Sequence, residues 1–382
     1  MSTINDIRAR MSAVMLNEDF QSALNRIIGK ADQIEAMDAQ QKKLIGDRLQ
    51  ATADYIDNFG PISSIKEYFT VVKGFSDEDW SKIQKRLERE NEQFLNAFIN
   101  YIKNPVKVDY FKKMNIATDV PKAMSKDFGL PYSTLAEIFK MEGAMKSGKG
   151  VGRGELFLGF MIDGATNASV GDINVNGDPY EVKAKSARLN TQNGFGTGNQ
   201  AMIYFFKEFT KFSAFHWSNF NLNKPTKELI QSFNFTEVKG RKKGSKFYEL
   251  FQECVKDGLD LNELFELIAD TLFCSRAGIW TNANYNIRNG VVKAFKDNVN
   301  PDGTPKDNAM LNYALMWQNI LYYQSQEYFN GLFLINPSTN KLAYLPVDSS
   351  KDMTQWLSQN VKYSQPNWQD KPTSDSWKIT LK

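Results

Sequence analysis

Asp172, Glu181 and Lys183 lie within Gly171-Asp-Ile-Asn-Val-Asn-Gly-Asp-Pro-Tyr-Glu-Val-Lys183. Asn176-Gly177 is a strong signal for a two-residue hairpin loop, because both central positions of that turn need positive φ. With this loop Val175 pairs with Asp178, and counting outward sets Asp172 opposite Glu181. The closing pair is hydrogen-bonded, so alternation puts Asp172 and Glu181 on a non-hydrogen-bonded pair, where side chains approach most closely. Two carboxylates so placed repel each other unless a cation sits between them. Lys183, two residues beyond Glu181, projects from the same face. The chemistry this set suits is a divalent-metal site with a flanking lysine. Ile173, Val175, Tyr180, Val182 and Ala184 form an apolar stripe on the other face. The competing reading is an ordinary hairpin with a solvated polar side, and a one-residue slip would part the two carboxylates.

Upstream, Gly148-Lys149-Gly150-Val151-Gly152-Arg153-Gly154 is a basic, flexible lead-in to Glu155-Leu-Phe-Leu-Gly-Phe-Met-Ile162, which reads as a short buried helix. An acidic residue at a helix start is favoured by the macrodipole, and it can equally supply a third carboxylate. A helix-borne Glu, then Asp172 on one strand and Glu181-Val-Lys183 on the next, resembles the PD-(D/E)xK nuclease superfamily. The resemblance covers about Gly148 to Trp217, under a fifth of the chain. Its motifs are degenerate, and Gly171 stands where the family often has Pro. The resemblance implies Asp172 and Glu181 as metal ligands with Glu155 as a supporting carboxylate and third ligand. It implies Lys183 as the residue that positions or activates water. The implied cofactor is Mg²⁺, with Mn²⁺ able to substitute, and the implied partner is DNA, expected to be double-stranded.

Phosphodiester hydrolysis suits those residue types. Mg²⁺ takes hard oxygen ligands and keeps several waters, so one or two carboxylates and a substrate phosphate suffice. A lysine beside it orients water and stabilises developing charge. A rival motif overlaps the glycine stretch, since Gly143 to Lys149 matches the Gly-x4-Gly-Lys core of a phosphate-binding loop. Gly150 stands where Ser or Thr belongs, and Ser133 to Met141 reads as a helix where such a loop needs a strand. The glycines are better read as a mobile basic loop above the carboxylates.

Composition sets wider bounds. The 382 residues can hold two or three domains, and 42% hydrophobic with 24% charged residues is ordinary for a soluble protein. No apolar run is long enough to span a membrane, and the start lacks the apolar region of a signal peptide. Only Cys254 and Cys274 occur, which argues against a disulfide framework or structural zinc and fits a reducing cytoplasm, bacterial or of a phage-infected host. The lone His216 excludes a multi-histidine metal cluster. A net charge of +3 means that any basic surface is local.

The expected fold class is α+β, a predominantly helical chain with a restriction-endonuclease-like α/β core, a small mixed sheet flanked by helices. Residues 1–145 read as helical, with helices at Asp19 to Ile28, Asp32 to Phe59 and Asp77 to Lys103. Residues 146–225 form the expected core, with a helix from Asn199 to about Lys211 and a closing strand over Phe212 to Phe220. Residues 226–382 return to helices at Thr226 to Ser232, Phe247 to Lys256, Leu261 to Cys274 and Ala309 to Tyr328. A hairpin is expected near 332–345 and a last strand at Trp377 to Leu381. Core packing explains the aromatics between Tyr204 and Trp217 more simply than base stacking. Two basic clusters are expected to touch DNA phosphates: Lys183, Lys185 and Arg188, and the stretch Lys239, Arg241, Lys242, Lys243 and Lys246. Lys149 and Arg153 of the glycine stretch join them. The expected function is a Mg²⁺-dependent DNA endonuclease, with phage or bacterial origin suggested by composition. A double-strand break would take a homodimer or two sequential nicks. The alternative is a non-catalytic DNA-binding or virion structural protein that keeps the fold.

Overall fold

The computed structural model describes residues 61–143, 145–146, 149–167, 171–184, 187–189, 198–212, 226–233, 246–273, 285–364 and 377–382. Among them the fold is mixed α and β, with helix predominating. Helices expected before residue 60 lie outside the described residues.

Helix α1 (Pro61–Glu67) runs into a π-helical turn over Tyr68–Val72. Helix α2 (Asp77–Leu87) opens on a capping box, Ser76 accepting from the Asp79 N–H while the Asp79 carboxylate accepts from the Ser76 N–H. The run expected as one helix from Asp77 to Lys103 is two, α2 and α3 (Glu92–Lys103). Asn91 explains the break, because its side chain accepts from the Phe94 N–H and so caps a new helix. Helices α4 (Val108–Lys112), α5 (Val120–Phe128) and α6 (Tyr132–Lys140) follow. The glycine stretch, expected as a mobile loop, contains a strand pair, β1 (Met145–Lys146) with β2 (Lys149–Gly150). Helix α6 precedes it where a phosphate-binding loop needs a buried strand.

Helix α7 (Glu155–Met161) is buried at every residue, which is why its sequence is apolar nearly all round. Phe160 meets Tyr68, Phe69 and Phe98, and Phe157 meets Phe111 and Phe139. Gly159 leaves the space that the Phe75 ring fills. Carbonyls at a helix C-terminus lack partners within the helix, and here two distant side chains supply them. The Tyr101 hydroxyl donates to Met161 O at 2.7 Å, and the buried Lys73 ammonium donates to Ile162 O.

β3 (Ala165–Asn167), β4 (Ile173–Val175) and β5 (Asp178–Lys183) pair antiparallel in sequence order. β6 (Ala187–Arg188) belongs to a second sheet. Six helices follow among the described residues: α8 (Gly198–Phe212), α9 (Lys227–Ser232), α10 (Lys246–Lys256), α11 (Leu261–Leu272), α12 (Tyr285–Asn298) and α13 (Asn308–Glu327). β7 (Gly331–Asn336) and β8 (Lys341–Pro346) then complete a small mixed five-stranded sheet of order β3-β4-β5-β7-β8. The strand beside β5 is β7. Phe212 ends α8, and the rest of the strand expected over Phe212 to Phe220 lies outside the described residues. After α14 (Thr354–Asn360), β9 (Val361–Ser364) and β10 (Lys378–Leu381) form the second sheet in the order β6-β10-β9.

Packing divides the chain into two units, one holding the described residues through Val182 with Pro337–Tyr344, the other Lys183–Asn336 with Leu345–Lys382. The division falls within β5 and the β7–β8 hairpin. The second unit has an aromatic core of its own, in which Phe205 packs on Phe206, Phe209 and Phe247, and Phe251 on Phe265 and Phe295. No helix among the described residues is long and apolar enough to cross a membrane.

Burial pushes the Lys73 ammonium down to about 8, with Asp163 pulling weakly the other way. Between that value and the ordinary lysine range the unfolded chain binds more protons than the folded one. Stability contributed at Lys73 therefore rises with pH through this window, by at most about 1.4 kcal/mol per unit, and is flat below it. Urea unfolding at about pH 7 and about pH 9.5 checks this. Wild type is expected to gain about 1–2 kcal/mol on Lys73→Met across that range; an unchanged difference would mean that Lys73 carries no buried charge.

Candidate active site

The hairpin turn is of the expected kind, with φ 54° at Asn176 and 99° at Gly177. Val175 pairs with Asp178, Asn174 with Pro179 and Ile173 with Tyr180, the register read from the sequence. Pairing stops one residue short of Asp172. Gly171, at φ 73°, turns the chain, and the Asp172 N–H donates to Tyr180 O at 3.0 Å. Asp172 Oδ2 then accepts from the Val182 N–H at 2.8 Å. The expectation that Asp172 faces Glu181 across a regular non-hydrogen-bonded pair is thus corrected. Its carboxylate takes the place that the next β4 carbonyl would have filled. Asp172 has a structural task at the end of the strand pair whatever else it does.

Strand β5 also departs from a hairpin with one wet face. Tyr180, Glu181 and Val182 are all buried, Glu181 to 4% exposure. On the Tyr180 side the cover comes from Lys112, whose ammonium donates to the Tyr180 hydroxyl at 2.9 Å, and from Tyr344, whose ring centre lies 6.4 Å away. Glu181 projects to the opposite side. A carboxylate in such a place must be met by hydrogen bonds or positive charge. Lys183 is half-buried, its Nζ 5.8 Å from the centre of the Tyr323 ring.

Glu155 is buried as the first residue of α7, after Gly154 at the cap, where the helix dipole favours a negative charge. Its carboxylate turns back over Gly152, and a Cβ at that position would collide with Glu155 Oε1. Among the described residues no group of three or more His, Cys, Asp and Glu side chains is close enough together to hold a metal ion.

Of the expected basic contacts, Arg153 pairs with Glu142 at 2.6 Å, both side chains at least half exposed. An exposed pair of this kind contributes little and exchanges readily for another anion. Lys149 lies in β2 opposite Lys146, and Arg188 lies in β6 opposite Lys378, a strand where a loop residue was expected. Lys185, Lys239, Arg241, Lys242 and Lys243 lie outside the described residues, as do His216 and Cys274. Cys254 is buried, and burial pushes its thiol up to about 12, which makes it a core residue and not a nucleophile. Lys73 and Tyr101, which hold the C-terminus of the Glu155 helix, carry no such signal in the sequence. Comparison with known proteins returns no matching family model, no matching curated protein and no matching solved structure.

Two glycines separate backbone strain from side-chain crowding here. Gly171→Ala adds a Cβ 3.0 Å from Tyr180 O at positive φ, and a loss of about 1–2 kcal/mol is expected. Gly152→Ala meets only the movable end of Glu155, so a loss under about 1 kcal/mol is expected, with the Glu155 carboxylate displaced. Chemical denaturation of both variants decides, and equal losses would contradict this description of the site.

Proposed function

We propose that this chain is a Mg²⁺-dependent DNA endonuclease with a PD-(D/E)xK-type core set in a largely helical protein, Mn²⁺ substituting for Mg²⁺. The observation that carries the reading is the hairpin itself. In its expected register Glu181 is buried on β5, and the Asp172 carboxylate is fastened to the next amide of the same strand. Order supports it too: a helix bearing Glu155, three antiparallel strands, then, after the short β6 of the other sheet and a helical stretch, a strand beside β5.

The donor set fits a hard divalent cation held by two carboxylates. Each carboxylate oxygen accepts more than one contact, so the Val182 bond orients Asp172 without exhausting its capacity. Asp172 and Glu181 would hold the cation, and Glu155 would act as a supporting carboxylate. A bound Mg²⁺ supplies charge relief on the scissile phosphate and lowers the pKa of bound water. Lys183, one strand repeat beyond Glu181, positions the attacking water and stabilises charge on the transferring phosphate. The substrate is DNA, double-stranded, and a homodimer or two successive nicks would give a double-strand break. The strand-capping bond of Asp172 favours one other reading, a DNA-binding or virion structural protein that keeps the fold without turnover.

Incubation with supercoiled plasmid separates the two. Wild type is expected to nick DNA with Mg²⁺ and to stop with EDTA, while Asp172→Ala and Lys183→Ala lose about a hundredfold or more. Lys183→Ala tests the chemistry without touching the Asp172 hydrogen bond. If wild type and both variants bind DNA alike and none cuts, the endonuclease reading falls.

A further inference from the structure

In the first unit, a groove of about 530 Å³ runs alongside α4. That volume lies in the range of natural ligand sites. Lys107, the cap residue before α4, and Lys113, the cap residue after it, both line the groove, with the Tyr110 ring between them. Six residues of helical rise separate the lysines by roughly 9 Å. Both are exposed, and neither makes an ion pair with another described residue. The Tyr110 ring is held edge-on against Phe111 and Phe128, at 5.3 and 5.5 Å between centres, and Met114 and Ala123 add apolar lining. One carboxylate enters the groove, Asp127, which accepts the Tyr110 hydroxyl at 2.7 Å. Two lysines against one aspartate leave the lining net positive.

We propose that this groove binds single-stranded nucleic acid, with Lys107 and Lys113 on neighbouring phosphates and an unstacked base against Tyr110. Alternating positive and aromatic side chains are the chemistry by which proteins hold a single strand without reading its sequence. A duplex keeps its bases inside the stack, so it would offer only phosphates here. The site is independent of the hairpin carboxylates, since Tyr180, which Lys112 of α4 covers, points away from the Glu181 side of β5.

The test uses the whole protein with EDTA present, so that metal-dependent cleavage cannot confuse binding. Fluorescence anisotropy follows a labelled oligothymidylate, an abasic strand of equal length and a duplex. The oligothymidylate is expected to bind tightest. Lys107→Gln with Lys113→Gln is expected to weaken it and to flatten the log–log salt dependence by about 1.4, the change for two phosphates that are no longer neutralised. Tyr110→Leu is expected to weaken it about tenfold. Tyr110→Phe, which keeps the ring and loses only the Asp127 bond, is expected to bind like the parent, as is Lys85→Gln on α2. Absence of binding, abasic or duplex binding equal to oligothymidylate, or a double lysine variant matching the parent would each overturn the proposal. None of those results depends on whether the protein cuts DNA.

Discussion

A carboxylate buried within a sheet is the constraint on which the other features of the first unit depend. Glu181 stands at 4% exposure between two equally buried neighbours on β5. Withdrawing an ionised side chain from water costs several kcal/mol unless charge or hydrogen bonds answer it. Such a residue persists where it is part of a network or where function requires it. The backbone around it is correspondingly well fastened. The Asn176-Gly177 turn sets the register, Gly171 bends the chain out of it at one defined point, and Asp172 closes the edge by accepting the Val182 amide.

Helix α7 gives that hairpin something fixed to rest on. It packs against β3 and β4, is buried along its length, and is gripped at its end by Tyr101 and Lys73 from the helices before it. A helix of seven residues would not persist alone in water. Its stability is tertiary, drawn from Phe157 and Phe160 among the aromatics of α3, α4, α6 and the turn after α1. Glu155 is carried to the head of this helix by packing at its other end, so residues well away from the carboxylates govern where they sit.

Local chemistry was legible in the residues, and long-range cover was not. A two-residue turn needs positive φ at both positions, Asn-Gly tolerates it best, and the observed turn and the register of its three pairs agree with that. The buried character of Glu155 to Met161 was likewise visible in its unbroken apolar run. Asp172 leaving the ladder departs from the alternation of a regular hairpin, and Gly171 before it, at positive φ, is the local signal for that departure. The burial of both faces of β5 was invisible because Lys112 and Tyr344 come from distant parts of the chain. For the same reason the pairing of β5 with β7, whose residues lie about 150 positions further along the chain, has no local signal. Lys73, following two valines that remain partly exposed, looks like any surface lysine. Only the fold turns it inward to a helix end.

The most direct measurement of the central claim, that the hairpin carboxylates hold a divalent cation, is an NMR titration with Mn²⁺, whose paramagnetism broadens signals from nearby amides. At low Mn²⁺ the amides of Asp172, Glu181, Val182 and Lys183 are expected to broaden first, with Mg²⁺ restoring them. Broadening that is centred elsewhere, or that persists unchanged in Asp172→Ala, would contradict a metal site on this hairpin.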